Sequence, residues 1–204
     1  MTARTIALID YGAGNVPSVV RALQRLGAAS RLVTTPNELA IARAIILPGV
    51  GHYAAIIRAL DERSLRAPLL AAIERGVPFL GICLGLQALY EASEEAPELQ
   101  GLGLFAGRVR SLPANVKLPH MGWNRIRARR DSALLAGISN TDFFYFAHSF
   151  AAAADTGEVA ATCDHGAGFA AVIERDNVFA TQFHPEKSGS AGARLLQNFA
   201  GLPA

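Results

Sequence analysis

No uncharged stretch of this 204-residue chain reaches the ~18 residues that a membrane-spanning helix needs. The longest runs from Gly76 to Tyr90, and Pro78, Gly81, Gly85 and Gln87 interrupt it. The N-terminus offers only Ile6-Ala7-Leu8-Ile9 before Asp10, too short for the apolar core of a secretory signal. Cysteine is scarce: Cys83 and Cys163 stand far apart, which gives neither a disulfide framework nor a CxxC metal or redox motif. Charge of one sign is missing as well. The balance of 19 basic and 17 acidic residues leaves +2, with no polybasic block for nucleic acid or an anionic membrane to read. The one dense basic group, Arg125, Arg127, Arg129 and Arg130, reads as a solvated strand or turn. We therefore expect a soluble, cytosolic protein with reduced cysteines and no nucleic-acid or membrane partner.

What the chain does have is apolar material. Hydrophobic residues make up 51% and charged residues 18%, which supports a large core and excludes disorder. The length predicts one domain over 1–204. The first half alternates strand-like and helix-like segments. Thr5–Ile9, Ser30–Val33, Ala44–Leu47 and Val77–Ile82 read as strands. Helices are expected from Val16 to Leu26, with Asn15 as cap, at Tyr53–Leu60, at Pro68–Glu74 and at Leu84–Ala92. This order predicts an α/β fold: a doubly wound, mostly parallel sheet with helices on both faces. The second half reads differently. Short strands at Gly107–Arg110, Asn124–Arg127, Phe143–Phe146, Val159–Cys163, Phe169–Ile173 and Val178–Gln182 have short links, so antiparallel pairs are expected among them. A closing helix is expected at Ser190–Phe199.

Gly81-Ile82-Cys83-Leu84-Gly85 falls where the fourth strand meets a helix. It follows the G-x-nucleophile-x-G pattern, with Cys as the nucleophile. Glycines two residues either side fit a turn too sharp for a Cβ. Such a turn lifts the thiol above the sheet and aims the Leu84 N–H at a developing oxyanion. A free thiol at pKa ~8.5 is only slightly ionised at neutral pH, so the positive end of the following helix would help. Cys163 lacks these flanks and reads as core.

A thiol nucleophile needs a general base, and the base needs an orienting group. His184-Pro185-Glu186 follows a strand and supplies both. In an extended chain residues i and i+2 point the same way, so Glu186 can stand beside the imidazole. Ligand sites of doubly wound sheets lie at the carboxyl ends of the strands, where Cys83 also stands. Pro48-Gly49-Val50-Gly51 leaves the third strand at the same edge and can present a peptide N–H to an oxyanion. His52, His120, His148 and His165 show no metal-ligand spacing.

The elbow Gly81–Gln87 with the distant His184-Pro185-Glu186 resembles the class I, or triad, glutamine amidotransferases over nearly the whole chain. Further segments narrow the resemblance: Asp10–Asn15, Leu47–Gly51, Glu91–Glu95, Pro119–Asn124 and His184–Ser188 look like those of the glutaminase subunits of imidazole glycerol phosphate synthases. The resemblance implies a Cys83–His184–Glu186 triad that hydrolyses glutamine through a glutamyl thioester, with no cofactor or metal. It implies oxyanion donors at Val50, Gly51 and Leu84. It places glutamine against Gly49, Gln87, Glu95, Ser149 and Phe150. It also implies a separate cyclase subunit with a (β/α)8 barrel, held as a heterodimer, that receives the ammonia. Asn15, Met121, Trp123 and Lys187 match interface positions of that group. Members are poor glutaminases until the partner and its ligand bind, and the Val50 peptide, between two glycines, is the expected point of rearrangement.

Other readings stand beside this one. The triad also serves amidotransferases of anthranilate, aminodeoxychorismate and purine synthesis. A cysteine peptidase shares the nucleophile. A flavodoxin-like binding module shares the sheet, although Gly12-Ala13-Gly14 is followed by Pro17 where a dinucleotide turn wants glycine.

Overall fold

The computed structural model describes residues 5–203. The elements are, in order, β1 (Ile6–Ile9), α1 (Val16–Arg25), β2 (Ser30–Val33), α2 (Pro36–Ala40), β3 (Ile45–Gly49), α3 (Tyr53–Glu62), α4 (Arg66–Glu74), β4 (Phe79–Cys83) and α5 (Leu84–Gln87). There follow β5 (Tyr90–Ser93), β6 (Phe105–Ser111), β7 (His120–Arg125), β8 (Arg127–Ala128), β9 (Phe143–His148) and β10 (Phe150–Ala151). The chain closes with β11 (Val159–Asp164), β12 (Gly168–Arg175), β13 (Val178–Thr181), a 3-10 turn (Pro185–Lys187) and α6 (Gly189–Ala200).

An eight-stranded sheet runs β2-β1-β3-β4-β13-β12-β11-β8. Strands β2, β1, β3, β4 and β13 pair in parallel. β12, β11 and β8 continue the sheet with antiparallel pairs. The expected α/β architecture, parallel first and antiparallel in the second half, is therefore present. Alternate residues of β1 feed opposite faces. Ala7 and Ile9 join a core with Leu39, Ile56 and Leu69 from α2, α3 and α4. Ile6 and Leu8 join a second core with Val19 and Leu23 of α1 and Leu195 and Phe199 of α6. Strands buried on both faces read as continuous apolar runs, and that is why they were visible in the sequence. Two smaller layers flank the sheet: β10-β6-β5, and the β7–β9 ribbon.

Several local expectations need correction. The helix expected at Leu84–Ala92 stops at Gln87, and Tyr90–Ser93 is a strand parallel to β6. The loop from 100 to 102 supplies the reason. Gly101 N–H donates to Glu91 O and Leu102 N–H to Ala88 O. A Cβ on Gly101 would sit 1.9 Å from Tyr90 O, so only glycine lets the loop cross there. These tertiary partners override helix propensity. Asn15 begins α1 at φ +56, but its side chain does not cap the helix. The strand expected at Asn124–Arg127 is two strands broken at Ile126, which turns into the core. Helix α2 was not anticipated; a capping box from Thr35 to Glu38 starts it.

Candidate active site

Cys83 closes β4 at φ +53 and ψ −103. A side-chain-bearing residue in that region carries strain of roughly 1–3 kcal/mol, which surrounding structure must hold. The glycines explain how. A Cβ on Gly81 would lie 2.6 Å from Gly85 O, and one on Gly85 would lie 2.0 Å from Leu47 O. The turn is thus packed backbone to backbone, and the thiol is pushed to the sheet edge. Helix α5 spans only Leu84–Gln87, so the positive helix end behind the sulfur is a single turn. It carries less of a dipole than the longer helix expected from the sequence.

β13 lies against β4, with Thr181 opposite Ile82. The segment after β13 therefore passes Cys83. His184 is 2% exposed and hydrogen-bonds the Cys83 sulfur. Its Nδ1 stands 2.9 Å from Glu186 Oε1. A carboxylate on Nδ1 fixes a proton there and turns Nε2 toward the sulfur. The pairing is not that of an extended chain: Pro185–Lys187 forms one 3-10 turn, which folds the carboxylate back under the ring. Burial alone would push the imidazole pKa down. Attraction to Cys83, the hydrogen bond to it, and then Glu186 outweigh burial and raise it to about 10. The ring is thus held as a cation between the sulfur and the carboxylate.

Glu186 Oε1 also accepts from Asn15 Nδ2 at 2.9 Å, while the buried Oε2 has no hydrogen-bond partner among the described residues. Asn15, expected at a partner interface, thus holds the orienting carboxylate. Gln182, overlooked in the sequence, donates from Nε2 to Cys83 Sγ at 3.6 Å and accepts from Gln87 Nε2 at 3.2 Å. Its position just past the strand that carries the base was the available signal.

The sulfur opens into a cavity of about 440 Å³. Asn15, Val50, Gly51, Cys83, Leu84, Gln87, Glu95, Ser149, Phe150, His184 and Lys187 line it, together with Ala147 and His148. Most of the site residues expected from sequence are brought together there. Glu186, Met121 and Trp123 do not line the cavity, and among the expected substrate contacts neither does Gly49. Gly49 is buried against α5, where a Cβ would meet Leu84 Cβ at 2.5 Å. Its lack of a side chain serves packing. Glu95 is held in place: its Oε2 accepts from Tyr53 N–H at 2.7 Å, at the start of α3. Gln87 Nε2 donates to Phe150 O at 2.8 Å. The Tyr11 phenol is buried close by. Burial raises its pKa and the adjacent Val50 amide opposes this, yet its hydroxyl has no well-aligned hydrogen-bond partner among the described residues.

Met121 and Trp123 stand outside the cavity, 65% and 56% exposed. Trp123 meets Tyr145 edge to face at 5.9 Å, and Lys187 Nζ lies 5.7 Å from the same ring. Tyr145 joins this apolar rim without having been singled out. Cys163 is buried in β11 as expected, and desolvation pushes its thiol up to about 12, which makes it inert.

Comparison with known proteins places this geometry. The model of the glutamine amidotransferase class-I family matches residues 7–201. The chain is 47% identical to the imidazole glycerol phosphate synthase subunit HisH of Desulfitobacterium hafniense (strain Y51), over 95% of this chain and 92% of that one. Identity is also 47% to the HisH subunit of Methanothermobacter thermautotrophicus, over 95% of this chain and 96% of that one. Among solved structures, PurLQS from Thermotoga maritima superposes with a TM-score of 0.77 at 20% identity, covering 97% of this chain and 98% of that chain, a likeness of fold.

Proposed function

The chain belongs to the class-I glutamine amidotransferases and, within them, to the HisH subunits of imidazole glycerol phosphate synthase, and from that premise we propose how its residues divide the work. It is a glutaminase of histidine biosynthesis that acts with a partner subunit. The Cys83 thiolate attacks the side-chain amide carbon of glutamine, and the carbonyl electron pair moves onto oxygen. Leu84 N–H and the Val50–Gly51 peptide receive that oxyanion; one such donor is typically worth ~10²–10³ in rate. His184 gives its proton to the departing nitrogen, and ammonia leaves behind a glutamyl thioester. Water then attacks the thioester, His184 accepts the water proton, and glutamate departs as the sulfur is released. Glu186 holds the ring throughout, and Asn15 holds Glu186.

Glu95 suits the α-ammonium of glutamine, since a carboxylate binds a cation by a charge-assisted hydrogen bond. Gln87 and the Ser149–Phe150 backbone form the opposite wall. Ammonia leaves uncharged toward the partner, a cyclase with a (β/α)8 barrel in a one-to-one complex. Met121, Trp123 and Lys187 receive that partner at the mouth; exposed aromatics beside an apolar side chain are common anchors. The protein works in the cytoplasm, and one amidotransferase domain accounts for residues 1–204, as the family match over 7–201 supports.

One observation carries the reading: a strained Cys83 elbow facing an imidazole whose Nδ1 is 2.9 Å from a buried carboxylate. Cys83→Ala tests it. In the complex with the cyclase, glutamine-driven synthesis should fall by ~10⁴ or more, because a triad without its nucleophile keeps only binding and oxyanion effects. Synthesis driven by ammonium salts should continue. Glutamine turnover surviving in the variant would refute the assignment.

A further inference from the structure

Three side chains that this mechanism does not use form an unbroken hydrogen-bonded line, which starts from His148 on the cavity wall and runs back through His120 to Asn124. His148, the last residue of β9, lies opposite His120, the first residue of β7. His148 Nδ1 is 2.9 Å from Phe150 O. His120 Nδ1 is 3.1 Å from His148 Nε2. Asn124 Nδ2 is 3.2 Å from His120 Nε2, and it also donates to Asp164 O at 3.0 Å.

These distances fix the protons. A carbonyl only accepts, so His148 carries its hydrogen on Nδ1 and leaves Nε2 bare. His120 must then donate from Nδ1, and its Nε2 accepts from Asn124. Each role is filled once, all in one direction, by two neutral rings. A second proton on His148 would set two donors against each other. Burial keeps both rings neutral, lowering His120 to about 4 and His148 to about 3. Phe146 and His165 stack on His120 at 4.7 and 4.2 Å, so the ring cannot turn freely.

The line ends on a wall of the cavity. Phe150 O, its last acceptor, also receives Gln87 Nε2 at 2.8 Å. Its other end lies on β7, the strand that exposes Met121 and Trp123. We propose that Asn124, His120 and His148 are positioning residues, which hold the Ser149–Phe150 wall and Gln87 in place for glutamine from the strand that meets the partner. This rests on the reading of the cavity as a glutamine pocket.

The test uses the complex with the cyclase subunit and separates KM from kcat for glutamine. His120→Leu breaks the line, whereas His120→Asn restores a donor where Nδ1 was. Loss of the line should raise KM for glutamine about tenfold with kcat changed less than about twofold, at the lower end of measured coupling between sites. His120→Asn should lie within about twofold of the native KM on the same scale. Asn124→Leu, at the partly exposed end, should raise KM about threefold and covers the case of a His120→Leu chain that does not fold. Thermal unfolding and co-elution with the cyclase report folding and docking. The inference fails if His120→Leu and His120→Asn shift KM equally, if neither shifts it, or if the loss falls on kcat alone. A native complex that hydrolyses no glutamine would instead refute the functional reading itself.

Discussion

His184 and His148 both line the cavity, with His120 hydrogen-bonded behind His148, and burial acts on all three rings in the same direction. They end in opposite charge states. His120 and His148 find only neutral partners, so desolvation wins and both stay uncharged. His184 finds a sulfur and a carboxylate, and these outweigh an equally dry environment. Neighbours rather than depth therefore decide which histidine is charged and which stays neutral.

The difference can be broken at several points. Replacing His184 by Ala removes acid and base together, and the glutamine-dependent kcat of the complex should drop by ~10⁴ or more, the scale seen when a triad loses its base. Glu186→Gln keeps the shape and removes the charge. Its kcat should fall by ~10², within the range for general acid–base effects. It should also lower the pKa of His184. In the native complex, turnover should persist on the alkaline side until the ring loses its proton near pH 10. In Glu186→Gln that alkaline limb should move to lower pH, as a pH–rate profile would record. An unmoved limb would mean that Glu186 does not support the charge.

The gentlest probe reads stability. Unfolded histidines take up protons near pH ~6.5, while His120 and His148 resist until about 4 and about 3 when folded. The unfolded chain then binds more protons, so stability should decline as pH falls below ~6.5 and this contribution should level off near pH 3. Denaturant midpoints of His148→Phe against the native chain, from pH 7 downward, isolate the contribution. The variant should show the shallower decline. Parallel curves would show that the pair is not excluding protons.

Much of the candidate site was legible because its signals are local. The elbow announces itself through Gly81 and Gly85, and the base through His184 and Glu186 two positions apart. The buried strands were legible as apolar runs. What escaped depends on which strand lies beside which. Gln182 reaches Cys83 across 99 positions, and His120 reaches His148 across 28, so neither contact has a local signature. Period-two counting through Phe144 and Phe146 does put His148 on the buried face of β9, a signal that was available. The short α5 escaped for the opposite reason: its sequence suits a longer helix, and only the crossing of Gly101 over Tyr90 ends it.

Sheet order has a consequence for birth as well as for chemistry. β13 is the last strand made, yet it is seated in the middle of the sheet between β4 and β12. A chain growing from the ribosome keeps the flank of β4 bare until residues beyond 181 emerge, and a bare strand flank invites wrong partners. The same order means that a chain still lacking the residues after β13 holds the Cys83 sulfur without the His184 imidazole beside it.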